Sequence, residues 1–436
     1  MNCDSIGFCL LCFLLGLLFL SSSLLRADDE FSFELEEFER KTLENGGYAE
    51  LKFEHMDINH DSAFAILNLD QPRSTVDRFY GSLQIDGYYT REIISFNWVL
   101  NASAQQDNLG WTDTADVYES YLSIKPSPFL TAGVGKKLYR WGAGYAWNPI
   151  GFINRPKDPN DPEEAMEGYI TTEVDLIKSF SGPLQTVAFT TAILPVWQGV
   201  NEDFGEINNV NLAAKLYFLY RDTDIDLIFY TGDSRSTRYG MDFSRNLAPN
   251  FEIHGELGYV PDQKRVVLQD DDSAVFRETA AVSCLIGLRY LTENDITGII
   301  EYYHNDAGYT EEEMGRFFQL ISDGENQFLA SGSDLLLERA RDIGLRSYGR
   351  PQAGRNYLYA RFTQKEPFDI LYFSPGLFTI INLDDKSYSI SPQLVYTGFT
   401  NWELRLRFSY LNGGTSTEYG EKMNSNKLEL RVRYFF

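Results

Sequence analysis

The chain has 436 residues, 43% of them hydrophobic and 15% aromatic, with a formal net charge of -25. That is apolar material for a large core, yet a mean hydropathy of -0.29 argues against a bundle of membrane-spanning helices. The negative charge excludes nucleic acid as a partner, because nothing in it would neutralise phosphates.

Only Ile6 to Leu20 is continuously apolar; Ser21, Ser22, Ser23 and then Leu24-Leu25-Arg26-Ala27-Asp28 follow. This pattern predicts a secretory signal over 1–27, too short in its apolar part to span a bilayer comfortably. Cys3, Cys9 and Cys12 leave with it, so Cys284 stays alone and no internal disulfide is expected. Residues 28–46 are acidic, with Phe31, Phe33, Leu35 and Phe38 irregularly spaced, and read as a periplasmic arm. After Gly46-Gly47 the chain becomes a succession of strands to its end, the unit 47–436.

About 18 segments alternate apolar and polar residues at the length a tilted membrane strand needs, starting with Tyr48–Asp57, Val76–Tyr88 and Arg91–Ala104. Phe251 to Tyr259 sends Glu252, His254 and Glu256 to one side, and Asn401 to Leu411 sets Trp402, Leu404, Leu406, Phe408 and Tyr410 against Glu403, Arg405, Arg407 and Ser409. A mid-strand charge facing lipid costs about 2–4 kcal/mol, so this consistent parity predicts a wet interior and a greasy exterior. Cys284 falls on the apolar parity with Val282 and Ile286 and reads as a small lipid-facing hydrophobe.

The connections alternate as well. One set is uniformly short and rich in turn residues, such as Lys125-Pro126-Ser127-Pro128 and Arg221-Asp222, whereas the other holds all the long loops, with short exceptions at Asp233–Arg235 and Asp384–Lys386. Short turns on one rim and long loops on the other predict an all-β, antiparallel up-and-down transmembrane barrel with short helices in its outer loops.

Two long loops carry most of the remaining information. Loop 141–167, with Trp141, Tyr145, Trp147, Asn148 and Arg155, is too aromatic to lie in solvent and is expected to fold inward and narrow the lumen. Asp161-Pro162-Glu163-Glu164 predicts a short helix there, capped by Asp161. The cluster Asp158, Asn160, Asp161 and Glu163 lacks the glycine and spacing of a calcium loop, so capping is the preferred use and neither metal nor cofactor is expected. In loop 306–355, Thr310 to Glu313 forms a capping-box pattern and Ser333-Asp334 precedes a second apolar run, which predicts two helices in a lid or plug over the outer mouth.

Within the lumen, the parity places Glu119, Glu173, Asp175, Asp226, Asp242, Glu252, Glu256 and Glu301 on early and middle strands, and Arg289, Arg361, Arg405, Arg407, Arg431 and Arg433 on later ones. Such a division would either set a transverse field, with arginines able to hold a carboxylate, or form a salt-bridge lattice bracing the wall.

The last strand, Lys427 to Phe436, ends on an aromatic in the lipid-facing register with Tyr434. It resembles the terminal strand of outer-membrane β-barrels, whose final aromatic is read by the barrel-assembly machinery. Gly135-Lys136-Lys137, Trp141-Gly142 and Asn148-Pro149 likewise resemble a motif in poorly characterised porin-like families of Gram-negative outer membranes. The resemblance implies a channel for small hydrophilic solutes, embedded in outer-membrane lipid, and the inward arginines would suit anionic or zwitterionic ones. A monomer and a homotrimer would have the same sequence signature. Two alternatives are a lipid-modifying hydrolase, for which His304 with Ser283 or Asp306 is the one conceivable pairing, and a closed-pore structural or adhesin barrel.

Overall fold

The computed structural model describes residues 42–69 and 73–436. The expected signal over 1–27 and the arm as far as residue 41 lie outside them. Eighteen strands occupy most of the rest: β1 (Leu43–Ile58), β2 (Thr75–Arg91), β3 (Ile94–Asp107), β4 (Gly110–Ser127), β5 (Leu130–Lys137) and β6 (Tyr169–Ser179). Next come β7 (Leu184–Val196), β8 (Asn209–Tyr220), β9 (Thr223–Thr231), β10 (Arg238–Ala248), β11 (Phe251–Leu268) and β12 (Ala274–Leu291). The last six are β13 (Ile296–Asn305), β14 (Asn356–Gln364), β15 (Phe373–Asn382), β16 (Tyr388–Tyr396), β17 (Trp402–Asn412) and β18 (Asn424–Phe435).

Each strand pairs antiparallel with its neighbours in sequence, and β1 pairs with β18, so the sheet closes into a barrel. At the seam Tyr48 faces Phe435, and Gly47 and Phe436 exchange backbone hydrogen bonds of 3.1 and 3.2 Å. Closure leaves no edge strand with unpaired backbone groups, the condition for placing a sheet in hydrocarbon. On β17, Trp402, Leu406, Phe408 and Tyr410 are exposed on the outer face while Arg407 and Ser409 are buried within. The period-two pattern of the sequence is therefore the inside–outside pattern of the wall. Among the described residues no helix is long and apolar enough to cross a membrane; the strands provide the crossing.

The rim carrying Leu43 and Phe436 has connections of only two to eight residues, and the opposite rim carries every long loop. Three expectations need adjustment. Residues 43–46, placed in the arm, already pair with β2, beginning with Leu43 opposite Tyr89. The β3–β4 and β11–β12 connections, read as longer loops, shrink to Asn108-Leu109 and 269–273 because both hairpins continue well past the ten-residue span. Beyond the apolar girdle, residues such as Gln105, Gln106 and Asp113 lose the alternation that marks a membrane strand, so the sequence reads as loop where the ladder persists. Finally, Asp161 starts no helix: residues 158–164 form successive turns, because its carboxylate is engaged across the barrel instead of capping.

At the long-loop rim, a helix over Glu311–Ser331 opens on the Thr310/Glu313 capping box and ends at Gly332 in the left-handed conformation. A second helix, Leu335–Ile343, begins at Asp334, whose side chain makes no capping hydrogen bond. Both pack with a short helix from the β1–β2 connection, Ala63–Asn68, around the fully buried Phe317, Leu320 and Ile321. Phe64 lies 6.2 Å from Phe317, and Arg341 Nε donates to the Leu67 carbonyl at 2.9 Å. The same cluster is tied to β11 by a bidentate pair from Arg265 to Glu313 at 2.8 and 3.0 Å. β1 and β11 stand nearly opposite in the ring, so this apolar cap joins one side of the rim to the other.

Candidate functional site

The site is built where segment 138–168, which joins β5 to β6, meets the inner wall. Two carboxylates, on β11 and β13 with β12 between them, hold its first turn. Glu256 of β11 accepts from the Gly144 amide at 2.6 Å and from Ile150 at 3.4 Å, and Glu301 of β13 accepts from Tyr145 at 2.5 Å and Ala146 at 2.9 Å. Both are buried, where a carboxylate is tolerated only when such donors replace water. The close approach needs glycine: Gly142 has φ +104°, and a Cβ there would sit 2.7 Å from Glu256 Oε1. His254 Nε2 braces Glu301 at 2.9 Å, and Lys157 Nζ donates back to the Gly144 and Tyr145 carbonyls at 2.5 and 3.2 Å. Burial pushes the Lys157 ammonium below its usual range, partly countered by Glu256 and Glu301. The Trp147 ring stacks on Tyr303 at 5.1 Å and lies 6.1 Å from both Tyr357 and Tyr359.

The far end of the segment reaches the arginines of the closing strands. Arg431 of β18 donates to Asp161 at 2.8 Å, Arg405 of β17 approaches the same carboxylate at 3.8 Å, and Arg407 donates to the Asn160 carbonyl at 3.1 Å. Arg361 of β14 reaches Glu163 at 2.9 Å, and Tyr145 donates its hydroxyl to that carboxylate at 2.7 Å. Wall carboxylates complete the array, with Glu429 at 3.1 Å from Arg431, Glu403 at 3.0 Å from Arg405 and Glu50 at 2.6 Å from Arg433. Burial pushes the Asp161 carboxyl up, but Arg431, Arg407 and Arg405 outweigh it and hold the group below the usual carboxylate range.

Between this segment and strands β3–β8 a cavity of about 460 Å³ stays open, lined by Lys125, Lys137, Arg140, Lys215, Tyr121 and Asp175 among others. Lys137 pairs with Glu173, and Lys215 with Asp226 at 3.2 Å, while Lys125 and Arg140 form no ion pair among the described residues. The interior is therefore occupied on its β11–β18 side and open on the other.

No protein-family model and no curated protein matches the sequence. Solved structures do match. A BenF-like porin from Pseudomonas fluorescens Pf-5 aligns with a TM-score of 0.53 at 10% identity, over 90% of this chain and 98% of that one. Pseudomonas aeruginosa OccK2 (OpdF), solved in complex with glucuronate, aligns at 0.51 and 9% over 90% and 96%, and Acinetobacter baumannii OccAB2 at 0.51 and 9% over 90% and 98%. The fold is that of the outer-membrane porins.

On this porin fold the acids and bases that parity sends inward do not form two opposed, unpaired faces. Glu256 and Glu301 bind backbone amides, Glu119 accepts from the Leu138 amide at 3.3 Å, and Glu173 and Asp226 pair with lysines. Arg361, Arg405, Arg407, Arg431 and Arg433 meet, whereas Arg289 is exposed on β12 opposite Glu252 and joins none of them. Arg155 stays at the other end of the segment, pairing with Glu167 at 2.7 Å and with Asp203, and Asn148 reaches the Arg155 carbonyl at 3.4 Å. Trp141 packs on Tyr139 with ring centres 5.3 Å apart. The parity of β8 already puts Lys215 inward with Asn211 and Tyr217, but the division of lumen charges left out the open wall's lysines and Glu50, although Glu50, Lys52 and Glu54 alternate visibly in β1. Ser283 and His304 sit on opposite faces of the sheet: Cys284, on the outer parity, faces His304, and Ser283 donates inward to Asn305 at 3.1 Å.

Proposed function

We propose that the protein is an outer-membrane channel for small hydrophilic solutes, with anionic or zwitterionic ones favoured. The observation that carries this reading is the 460 Å³ lumen cavity beside the infolded segment, whose lining includes Lys125 and Arg140, cations without an ion pair among the described residues, and the ring of Tyr121. A solute passing between that segment and β3–β8 meets charge to attract it and apolar faces to guide it, without a deep well to trap it. The segment 141–167 is the constriction, with Trp141, Tyr145, Trp147, Asn148 and Arg155 shaping it. A carboxylated sugar held by a protein of the same fold supports the solute class. In the catalytic reading His304 does meet Asp306, at 3.0 Å, but the nucleophile Ser283 would have to join them and the sheet separates it from His304. The cap across the outer rim favours one competing reading, a barrel that never opens.

Reconstitution into planar bilayers separates the two. Stepwise conductance with a reversal potential shifted toward anions is expected; folded protein that inserts and stays silent would leave the closed barrel as the better account.

A further inference from the structure

The arginines of β14, β17 and β18 have the arrangement that would hold a small carboxylate, and a carboxylate is already there. Its source is the chain itself. The turn closed by the Glu164 amide on the Asp161 carbonyl at 3.0 Å, with Pro162 inside it, presents Asp161 to Arg431 and Arg405, and Glu163 to Arg361. The space left around these groups is about 10 Å³, no more than one water needs and far short of a solute. Counted over this wall, five guanidiniums (Arg361, Arg405, Arg407, Arg431, Arg433) meet five carboxylates (Glu50, Asp161, Glu163, Glu403, Glu429). Two of the five acids belong to the infolded segment and three to the wall.

We infer that Asp161 is a tethered occupant of an anion site formed by Arg405, Arg407 and Arg431, and that its charge keeps this wall closed to free carboxylates. A group tethered by a short segment acts at an effective concentration of about millimolar or more, so a dilute solute does not displace it. Removing its charge leaves buried guanidiniums undercompensated, a costly state that an incoming anion relieves. In the native protein anions are thereby directed to the Lys125 and Arg140 side, and selectivity is set by a residue that a list of free arginines would overlook. This inference rests on the channel reading for its physiological meaning, but its binding test does not.

The experiment titrates succinate into the detergent-solubilised full chain by calorimetry, comparing wild type with Asp161→Asn and Asp161→Glu. Asp161→Asn should bind at least tenfold more tightly than wild type, and Asp161→Glu should return to the wild-type value; equal affinities for wild type and Asp161→Asn would overturn the inference. Wild-type protein supplies a second reading that needs no variant to fold. Phenylglyoxal should modify Arg289 at least tenfold faster than Arg431, and equal rates would count against an occupied site. In bilayers, Asp161→Asn should raise the anion-to-cation permeability ratio severalfold. Conducting channels with an unmoved ratio would defeat the inference alone, whereas silence from both proteins would count against the channel reading and leave the calorimetric result to decide this one.

Discussion

The buried carboxylates divide by what they face. Glu256 and Glu301 face amides, and Asp161 faces guanidiniums, so the same residue type serves as anchor in one place and as counter-ion in the other. The pH response of the second kind follows from its sign. The pairing lowers the folded-state pKa of Asp161, so its contribution is complete above the ordinary carboxylate value and is lost as pH falls through the lowered one. Arg431, Arg405 and Arg407 face it from the wall, and Asp158, Glu163 and Glu164 flank it in sequence. The step in the emission of the segment's tryptophans that disappears in Asp161→Asn should therefore lie below about pH 4, under any change due to Glu163 and Glu164, whose carboxyls burial raises; an Asp161-dependent step near neutrality would contradict this sign. Strand parity made Glu256, Glu301 and the closing-strand arginines legible as inward residues. It could not tell their partners, because partners depend on where a segment of about thirty residues folds, and no periodicity encodes that.

At the scale of elements, the strands were readable because hydrocarbon outside and water inside impose a strict two-residue period, and the helix at Glu311 was readable because capping chemistry is local. The expected helix at Asp161 failed for the complementary reason: a charge-assisted contact from Arg431, 270 residues away, outcompetes a local cap. The outer hairpins were read too short because nothing apolar marks a ladder in water. The cap's own stability is a separate question from the barrel's. Phe317 is completely buried between Phe64, Phe318 and Tyr348, and Phe317→Ala should cost about 3–5 kcal/mol locally. Limited proteolysis should then cut within 306–355 while the barrel keeps its heat-modifiable mobility on gels. Unchanged protease resistance would mean that the rim loops, not this core, hold the helices.

For the molecule as a whole, the decisive contact is the seam. Phe436 contributes two backbone hydrogen bonds to Gly47 and places its ring against the first strand, and Tyr434 packs on Trp402 with ring centres 4.9 Å apart. Deleting Phe436 should reduce the folded, membrane-inserted fraction severalfold in cells, read as loss of the fast-migrating band. A larger loss in cells than on refolding into detergent would identify recognition by assembly machinery, while equal losses would assign the defect to the seam itself. Closure was foreseeable from about 18 alternating strands whose short and long connections fall on opposite rims. Partial filling of the interior was foreseeable only as a tendency of one aromatic loop.

The cap has a bearing on the order of events during biogenesis. Its Ala63 amide is held by the Glu421 carboxylate at 2.7 Å, a partner 358 positions later in the chain. The helix Ala63–Asn68 is thus among the first outer segments synthesised, yet it must wait for nearly the whole polypeptide before its socket exists. Contacts that distant form late, so the growing ribbon should curl and join with its exterior entrance still unroofed, and the roof should set last.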